Sequence, residues 1–304
     1  MIHGLVLVDK SKNFTSHAVV DEIRKIFKIK KVGHFGTLDP LAEGLLLIAV
    51  GNATKFFNFY MGKRKCYTGL IKFGYATTTY DTEGEPIGEK KDIDLYRVDI
   101  PALLSRFTGK LMQTPPIYSA KKFKGKPLYK YARENKEEEV IIKPAAVEVY
   151  SFKGNVVDKE TLWFEVYTSS GTYVRSLAHD MGQAVGVGAY LEKLKREEVG
   201  EYHVKNAFTL EDIARYVTAA ELTKVVIPIE VLLPEFPKII VNQGGRIGIL
   251  NGQPLLPRDI LKVFPTGDAK VVNFRLFDDE GKLLAIAQKE ERVMRFKPLI
   301  VFSN

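Results

Sequence analysis

Gly33-His34-Phe35-Gly36-Thr37-Leu38-Asp39-Pro40-Leu41-Ala42-Glu43-Gly44 is the stretch where the chain stops following any helical or strand period. Its glycines and Pro40 impose an irregular backbone. The segment 28–44 is therefore expected to be a loop, on the surface or in a cleft, rather than a regular element. Asp39 sits at its centre, and its apolar flanks Leu38 and Leu41 would keep water away. A carboxylate on a rigid, partly dry loop can serve as a nucleophile or a base. The same spacing also suits an Asx turn, or the cap of a helix that begins at Pro40. The residues alone leave these readings open.

Upstream of this loop, residues 4–8 read as a first strand. Ser16 is a plausible N-cap for a helix whose apolar stripe is Val19, Val20, Ile23, Ile26 and Phe27. Downstream, residues 66–74 read as a strand with Tyr67, Gly69, Ile71 and Phe73 on one face, and 101–107 as a short helix. Residues 162–169 are apolar on both faces, which predicts an interior strand. Gly171 breaks that strand, and Val174, Leu177, Ala178, Met181 and Val185 then mark a helix that stops near Gly186. If 171–175 is extended, Tyr173 and Arg175 point to one face. Strands at 238–241, 271–276 and 283–287, with a turn at Asp278-Asp279-Glu280-Gly281, suggest a small C-terminal β-domain.

Hydrophobic residues make up 45% of the 304, enough for a full core and about two domains. No run approaches the ~20 apolar residues of a membrane span, and residues 1–8 lack the basic start of a signal peptide. The single cysteine, Cys66, excludes an internal disulfide and a cysteine metal cluster. The five histidines have no metal-ligand spacing. A cytoplasmic, metal-free protein is expected. The net charge of +8 suits either a polyanion partner or plain solubility.

The segment that opened this reading resembles the catalytic signature Gly-His-x-Gly-Thr-Leu-Asp-Pro-x-Ala-x-Gly of TruB-type pseudouridine synthases, the tRNA pseudouridine-55 synthase family. The resemblance runs along nearly the whole chain. Leu7-Val8-Asp9-Lys10 with Thr15-Ser16-His17 is similar to the family's opening, and Gly51-Asn52-Ala53-Thr54-Lys55 to its Gly-x-Ala-Thr-Lys stretch. Lys65-Cys66-Tyr67 is similar to its tyrosine strand. Pro115-Pro116-Ile117-Tyr118-Ser119-Ala120 and Lys126-Pro127-Leu128-Tyr129 resemble its inserted RNA-gripping element. Ser170-Gly171-Thr172-Tyr173-Val174-Arg175 resembles its Gly-Thr-Tyr-x-Arg motif. More loosely, Asn251-Gly252-Gln253-Pro254 resembles part of a PUA domain. Two positions depart from the commonest pattern. Glu43 stands where Thr is frequent, and Lys195-Arg196-Glu197-Glu198 is more acidic than the usual Arg-Arg stretch, which puts RNA contacts there in doubt.

The resemblance implies an α+β fold: a mixed, largely antiparallel central sheet flanked by helices over 1–232, with an RNA-gripping insertion at about 113–148, and a β-barrel-like PUA domain over 233–304. It implies that Asp39 drives scission of the glycosidic bond of uridine 55 in the tRNA T-arm without a cofactor, after which uracil rejoins through C5. Arg175 would pair with Asp39, and Tyr67 would stack on the base and handle the C5 proton. Tyr173 would line the uracil pocket, Leu194 would form an apolar wall, and His34 would fill the gap left by the everted base. Lys55 would support the active site or a phosphate. Taken singly, Tyr67 and Leu194 also read as core residues, His34 as a structural histidine, Arg175 as a surface ion pair and Lys55 as a solvated lysine.

Residues 121–133 interleave Lys121, Lys122, Lys124, Lys126, Lys130 and Arg133 with Phe123, Tyr129 and Tyr131. Cations can follow phosphates while aromatics stack on splayed bases, although charge runs are often only solvated faces. This segment is expected to pack weakly on the core. Lys63-Arg64-Lys65 and Lys195-Arg196 are further phosphate candidates. The expected partner is tRNA, with the T-arm at the cleft and the acceptor region at the PUA-like domain, bound by a monomer that needs no protein partner. A guide-RNA-dependent synthase, or a non-catalytic tRNA-binding chaperone, is the competing reading. The inserted element and the lack of long basic tails favour the first assignment.

Overall fold

A period of two in the first strands sets the architecture. In the computed structural model, which describes residues 2–134, 136–267, 271–290 and 294–302, β1 (Gly4–Lys10) and β3 (Glu43–Val50) pair antiparallel, with β2 (Val32–His34) also on β3. Successive side chains of a strand point to opposite faces. Val6, Val8, Leu46, Ile48 and Val50 therefore enter one core. Leu5, Leu7, Leu45, Leu47 and Ala49 enter a second core on the other face.

Among the described residues the sheet has ten strands. Beyond β1 to β3 it includes β4 (Lys65–Phe73), β5 (Gly109–Gln113), β6 (Ala145–Val156), β7 (Thr161–Thr168) and β8 (Ala189–Val199). The order along its main path is Ile227–Pro228, β1, β3, β8, β4, β7, β6, β5. Pairing is antiparallel except between β3 and β8, which run parallel with Lys195 opposite Glu43 and Arg196 opposite Gly44. This is the mixed, largely antiparallel sheet that was expected, with β7 in its interior.

Helices α1 (Ser16–Phe27), α2 (Ile100–Arg106), α3 (Val174–Val185) and α4 (Leu210–Thr218) cover the first core. α1 buries Val19, Val20, Ile23 and Phe27. Its cap is Thr15, whose hydroxyl accepts from Ala18 N at 3.0 Å, and not Ser16 as the pattern suggested. α3 ends at Gly186, in the left-handed region at φ 86°.

The second face of the sheet carries a five-stranded C-terminal sheet. It is built from β9 (Lys238–Val241), β10 (Ile260–Phe264), β11 (Asn273–Phe277), β12 (Leu283–Lys289) and β13 (Phe296–Val301), in the order β10, β9, β11, β12, β13. β10, β13 and the helix α5 (Gln243–Leu250) have no clear sequence period and were not expected. Phe277, Leu283, Ile286 and Phe302 join the second core, so the two sheets share buried surface.

Two segment readings are revised. Residues 28–44 are not wholly irregular, because β2 lies inside them. The inserted segment is shorter than 113–148, because Gln113 belongs to β5 and Ala145 begins β6. Between them lie a small hairpin pairing Lys122–Phe123 with Lys126–Pro127 and the helix Leu128–Arg133, which buries only Leu128 and Ala132.

Candidate active site

The Asp39 loop is held by side chains that arrive from far along the chain. Ser16 Oγ donates to Leu38 O at 3.1 Å and accepts from Leu38 N at 2.8 Å. The Lys10 ammonium donates to Phe14 O at 2.7 Å and Pro40 O at 3.4 Å. Arg196 donates from Nε to Leu45 O at 2.7 Å, from Nη1 to Thr37 O at 3.3 Å and from Nη2 to Gly36 O at 3.1 Å. Phe35, Leu38 and Leu41 are buried beneath the loop. Gly44 is required by contact as well as by its φ of +96°, since a Cβ there would lie 2.4 Å from Arg196 O.

Asp39 Oδ2 faces Arg175 Nε at 2.9 Å, and the Arg175 side chain is 5% exposed. Arg175 Nη1 also meets Asp81 Oδ2 at 3.4 Å. The same guanidinium donates to Thr79 O at 3.0 Å and to Tyr118 O at 2.8 Å. One buried cation thus joins the Asp39 loop, the 79–81 turn, the root of the insertion and α3. Burial raises the Asp81 carboxyl above its ordinary range, against the lowering effects of the Thr79 hydroxyl and of Arg175. The Asp39 side chain is 35% exposed, and among the described residues no ion pair engages its Oδ1.

Asp39 and Arg175 line a cleft of about 470 Å³ together with Tyr67, Tyr173, Leu194 and Arg196. That volume is within the range of small-ligand sites. Strand register assembles its floor: on β4 and β8, Tyr67 lies opposite Arg196 and Gly69 opposite Leu194. The Tyr67 side chain lies beside the Arg196 guanidinium in the cleft lining. Burial and the nearby Asp39 push the Tyr173 phenol up. Residues 171–175 are not extended as supposed. Tyr173 is the extended residue before α3 and Arg175 lies in its first turn. Both reach the cleft because Gln113 clamps Tyr173, accepting from its N at 2.8 Å and donating to its O at 3.0 Å.

The cleft thus gathers Asp39, Tyr67, Tyr173, Arg175 and Leu194. His34 lies in a neighbouring groove with His17, Arg24, Lys30, Lys31 and Phe57. Burial, Arg196 and His17 hold its imidazole below the ordinary range. Lys121 lines the cleft edge and donates to Lys143 O at 3.2 Å. Lys122 and Lys124 are exposed on the hairpin. Lys126 is paired with Glu134 at 2.6 Å, and Arg133 covers the Tyr129 ring.

Three expectations are corrected. Arg196 is no surface phosphate contact: it is 1% exposed and holds three carbonyls. Lys55 does not line the cleft. Its ammonium donates to Val301 O at 2.6 Å and lies over the Phe302 ring, tying the C-terminal sheet down. Of Lys63-Arg64-Lys65, Lys63 is paired with Glu201 and Glu235. Lys65 is buried at the cleft, bonded to Met61 O and Lys63 O, and its amine is pushed down to about 8 by burial. Sequence reasoning missed Asp81, Lys10, Ser16 and Gln113. Lys10 and Ser16 stood in the opening motif with no site role attached, and the signal of Asp81 and Gln113 was only a polar residue beside a turn or strand end, which is common.

Arg196→Met should cost about 2–4 kcal/mol of stability, because three buried carbonyls lose a charged donor. It should also slow any chemistry at Asp39. Denaturant unfolding measures the first effect, and an unchanged midpoint would contradict this account of the loop.

Residues 24–174 match the TruB family pseudouridylate synthase N-terminal domain, and 175–234 match the tRNA pseudouridylate synthase B C-terminal domain. The tRNA pseudouridine synthase B of Solibacter usitatus is 40% identical over 250 residues, covering 82% of this chain and 85% of that protein. The one from Thermotoga maritima is 37% identical over 290 residues, covering 95% and 91%. The fold is similar to that in the structure of an H/ACA RNP bound to a substrate RNA containing 2′-deoxyuridine. The TM-score is 0.74 at 22% identity, covering 99% of this chain and 85% of that chain. Among the described residues no helix is long and apolar enough to cross a membrane.

Proposed function

The chain belongs to the TruB family of pseudouridylate synthases, and from that premise we propose that it converts uridine 55 in the T-arm of tRNA to pseudouridine, with Asp39 as the reacting carboxylate. The reaction is an isomerisation. The N1–C1′ bond breaks, uracil turns, and C5 bonds to C1′; C5 loses a proton and N1 gains one. The observation that carries the reading is the Asp39–Arg175 pair at 2.9 Å in a cleft shared with Tyr67 and Tyr173. Arg175 pairs with the carboxylate and fixes where it points. Tyr67 offers a ring for the base, worth ~1–3 kcal/mol by stacking, and stands where it can take the C5 proton. Tyr173 and Leu194 exclude water from the uracil.

A uridine in a folded loop must leave its stack to reach this cleft. His34 is assigned to the vacated position, since its groove adjoins the Asp39 loop. The T-arm runs along Lys121, Lys122, Lys124 and Tyr129, and the acceptor region lies against the PUA-like C-terminal sheet. The protein acts as a cytoplasmic monomer without a guide RNA. The test is purified protein with unmodified tRNA and no guide. Pseudouridine at position 55 supports the reading; tight binding without conversion would replace it with a non-catalytic RNA binder.

The insertion buries little apolar surface, which favours ordering on RNA. Trypsin should cut free protein first at Lys122 or Lys124, and bound tRNA should slow that cleavage by about tenfold or more. Equal cleavage with and without tRNA would count against this grip.

A further inference from the structure

Arg175 Nη1 meets two groups from one short turn, Thr79 O at 3.0 Å and Asp81 Oδ2 at 3.4 Å. The residue between them, Tyr80, has φ +66°. A bulky L-residue rarely occupies that left-handed region, whereas glycine does so without strain. Such a geometry persists where surrounding contacts hold it. Here the Tyr80 ring stacks on His179, with centroids 3.9 Å apart and planes at 19°. His179 is four residues after Arg175 on α3, so both lie on one face of that helix. His179 Nδ1 is buried and has no hydrogen-bond partner among the described residues, and the ring packs face to face on Tyr80.

The turn is fastened to the sheet as well. Leu191 N donates to Tyr80 O at 2.9 Å, and Thr77 Oγ1 donates to Asp81 O at 2.7 Å. Reversal of the chain at Tyr80 aims both the Thr79 carbonyl and the Asp81 carboxylate at one guanidinium nitrogen. The stack docks that reversed turn on α3 one helical turn beyond Arg175.

We infer that Tyr80, stacked on His179, is a positioning residue for catalysis: it sets the Asp81–Arg175 contact and through it the orientation of Asp39. This rests on the proposed role of Asp39 as the reacting carboxylate. Tyr80 touches no reacting atom and acts only through its neighbours.

The test uses the full chain, saturating unmodified tRNA and single-turnover pseudouridine formation, with tRNA affinity and thermal midpoint measured alongside. Tyr80→Gly suits the local φ, so it removes the ring without adding strain. It should lower the rate about 10- to 100-fold, the scale of a small misplacement of a reacting group, with tRNA affinity kept. His179→Ala should do the same, and Tyr80→Phe should restore most of the rate. On an Asp81→Asn background Tyr80→Gly should add little, because the two act through one contact. An unchanged rate in Tyr80→Gly, a loss confined to tRNA affinity, or full additivity with Asp81→Asn overturns the inference. Asp39→Asn run in parallel separates the two readings: if it still turns over, the role of Asp39 is wrong whatever Tyr80 does.

Discussion

Asp39→Asn should abolish pseudouridine formation, lowering the single-turnover rate by at least about 10⁴-fold, the scale seen when a reacting group is removed. Binding of tRNA stays within a few-fold. The amide has the shape of the carboxylate but not its charge, so it can neither react at the nucleoside nor pair with Arg175. The surrounding fold is expected to survive. The loop is held through its backbone by Ser16, Lys10 and Arg196, and Arg175 keeps Asp81, Thr79 and Tyr118. Release of the C5 hydrogen from labelled uridine in tRNA follows the chemistry, and filter binding follows the affinity. A variant that turns over within tenfold of the parent would remove Asp39 from the mechanism.

Arg175→Met carries the second-largest effect, and it falls on both activity and stability. The guanidinium serves two carboxylates and two carbonyls from different segments. Without it Asp39 loses its orientation, and the rate should drop about 10²–10³-fold, as for a lost charge-stabilising donor. Asp81, 2% exposed, would keep the Thr79 hydroxyl and the Glu83 backbone N–H but lose its cation, costing about 3–5 kcal/mol. The expected fall in thermal midpoint is on the order of 10 °C. Arg175→Lys should recover charge but not activity, since an ammonium cannot reach four partners in a fixed fork.

The pH dependence of Arg175→Met has a defined sign. Asp81 already titrates above its reference value of 3.8 because it is buried, so the folded state binds more protons than the unfolded chain just above that value. Stability therefore falls as pH rises through this window. Removing Arg175 raises the carboxyl further and widens the window. The variant should regain part of its lost stability on acidification from neutral pH, more than the parent does. Thermal melts across that range measure this, and parallel curves would show that Asp81 does not depend on Arg175.

What the sequence determined by itself is local. The first strand, the glycine spacing around Asp39 and the helix stop at Gly186 are demands of backbone geometry between near neighbours, and they were legible as such; β3, apolar on both faces, was not read as a strand. The motif around Asp39 and the Gly-Thr-Tyr-x-Arg run pointed, through resemblance to a family, to candidates that share one cleft. Arg196 was misread because its acidic and basic neighbours look solvated and because β8 does not alternate cleanly: its register on β4 shifts between Leu191 and Lys193 and between Arg196 and Glu198. Asp81 drew no reading, and Lys55 was read as supporting the active site or a phosphate, since nothing near either shows a partner about a hundred positions away or more. Only the tertiary structure decided which charges meet. The short parallel contact of β3 with β8 sets Gly44 against Arg196, and the docking of the 79–81 turn on α3 sets Asp81 against Arg175. Ion pairs and buried donors act over a few ångströms in space, and a distance along the chain carries no record of that until the sheet closes.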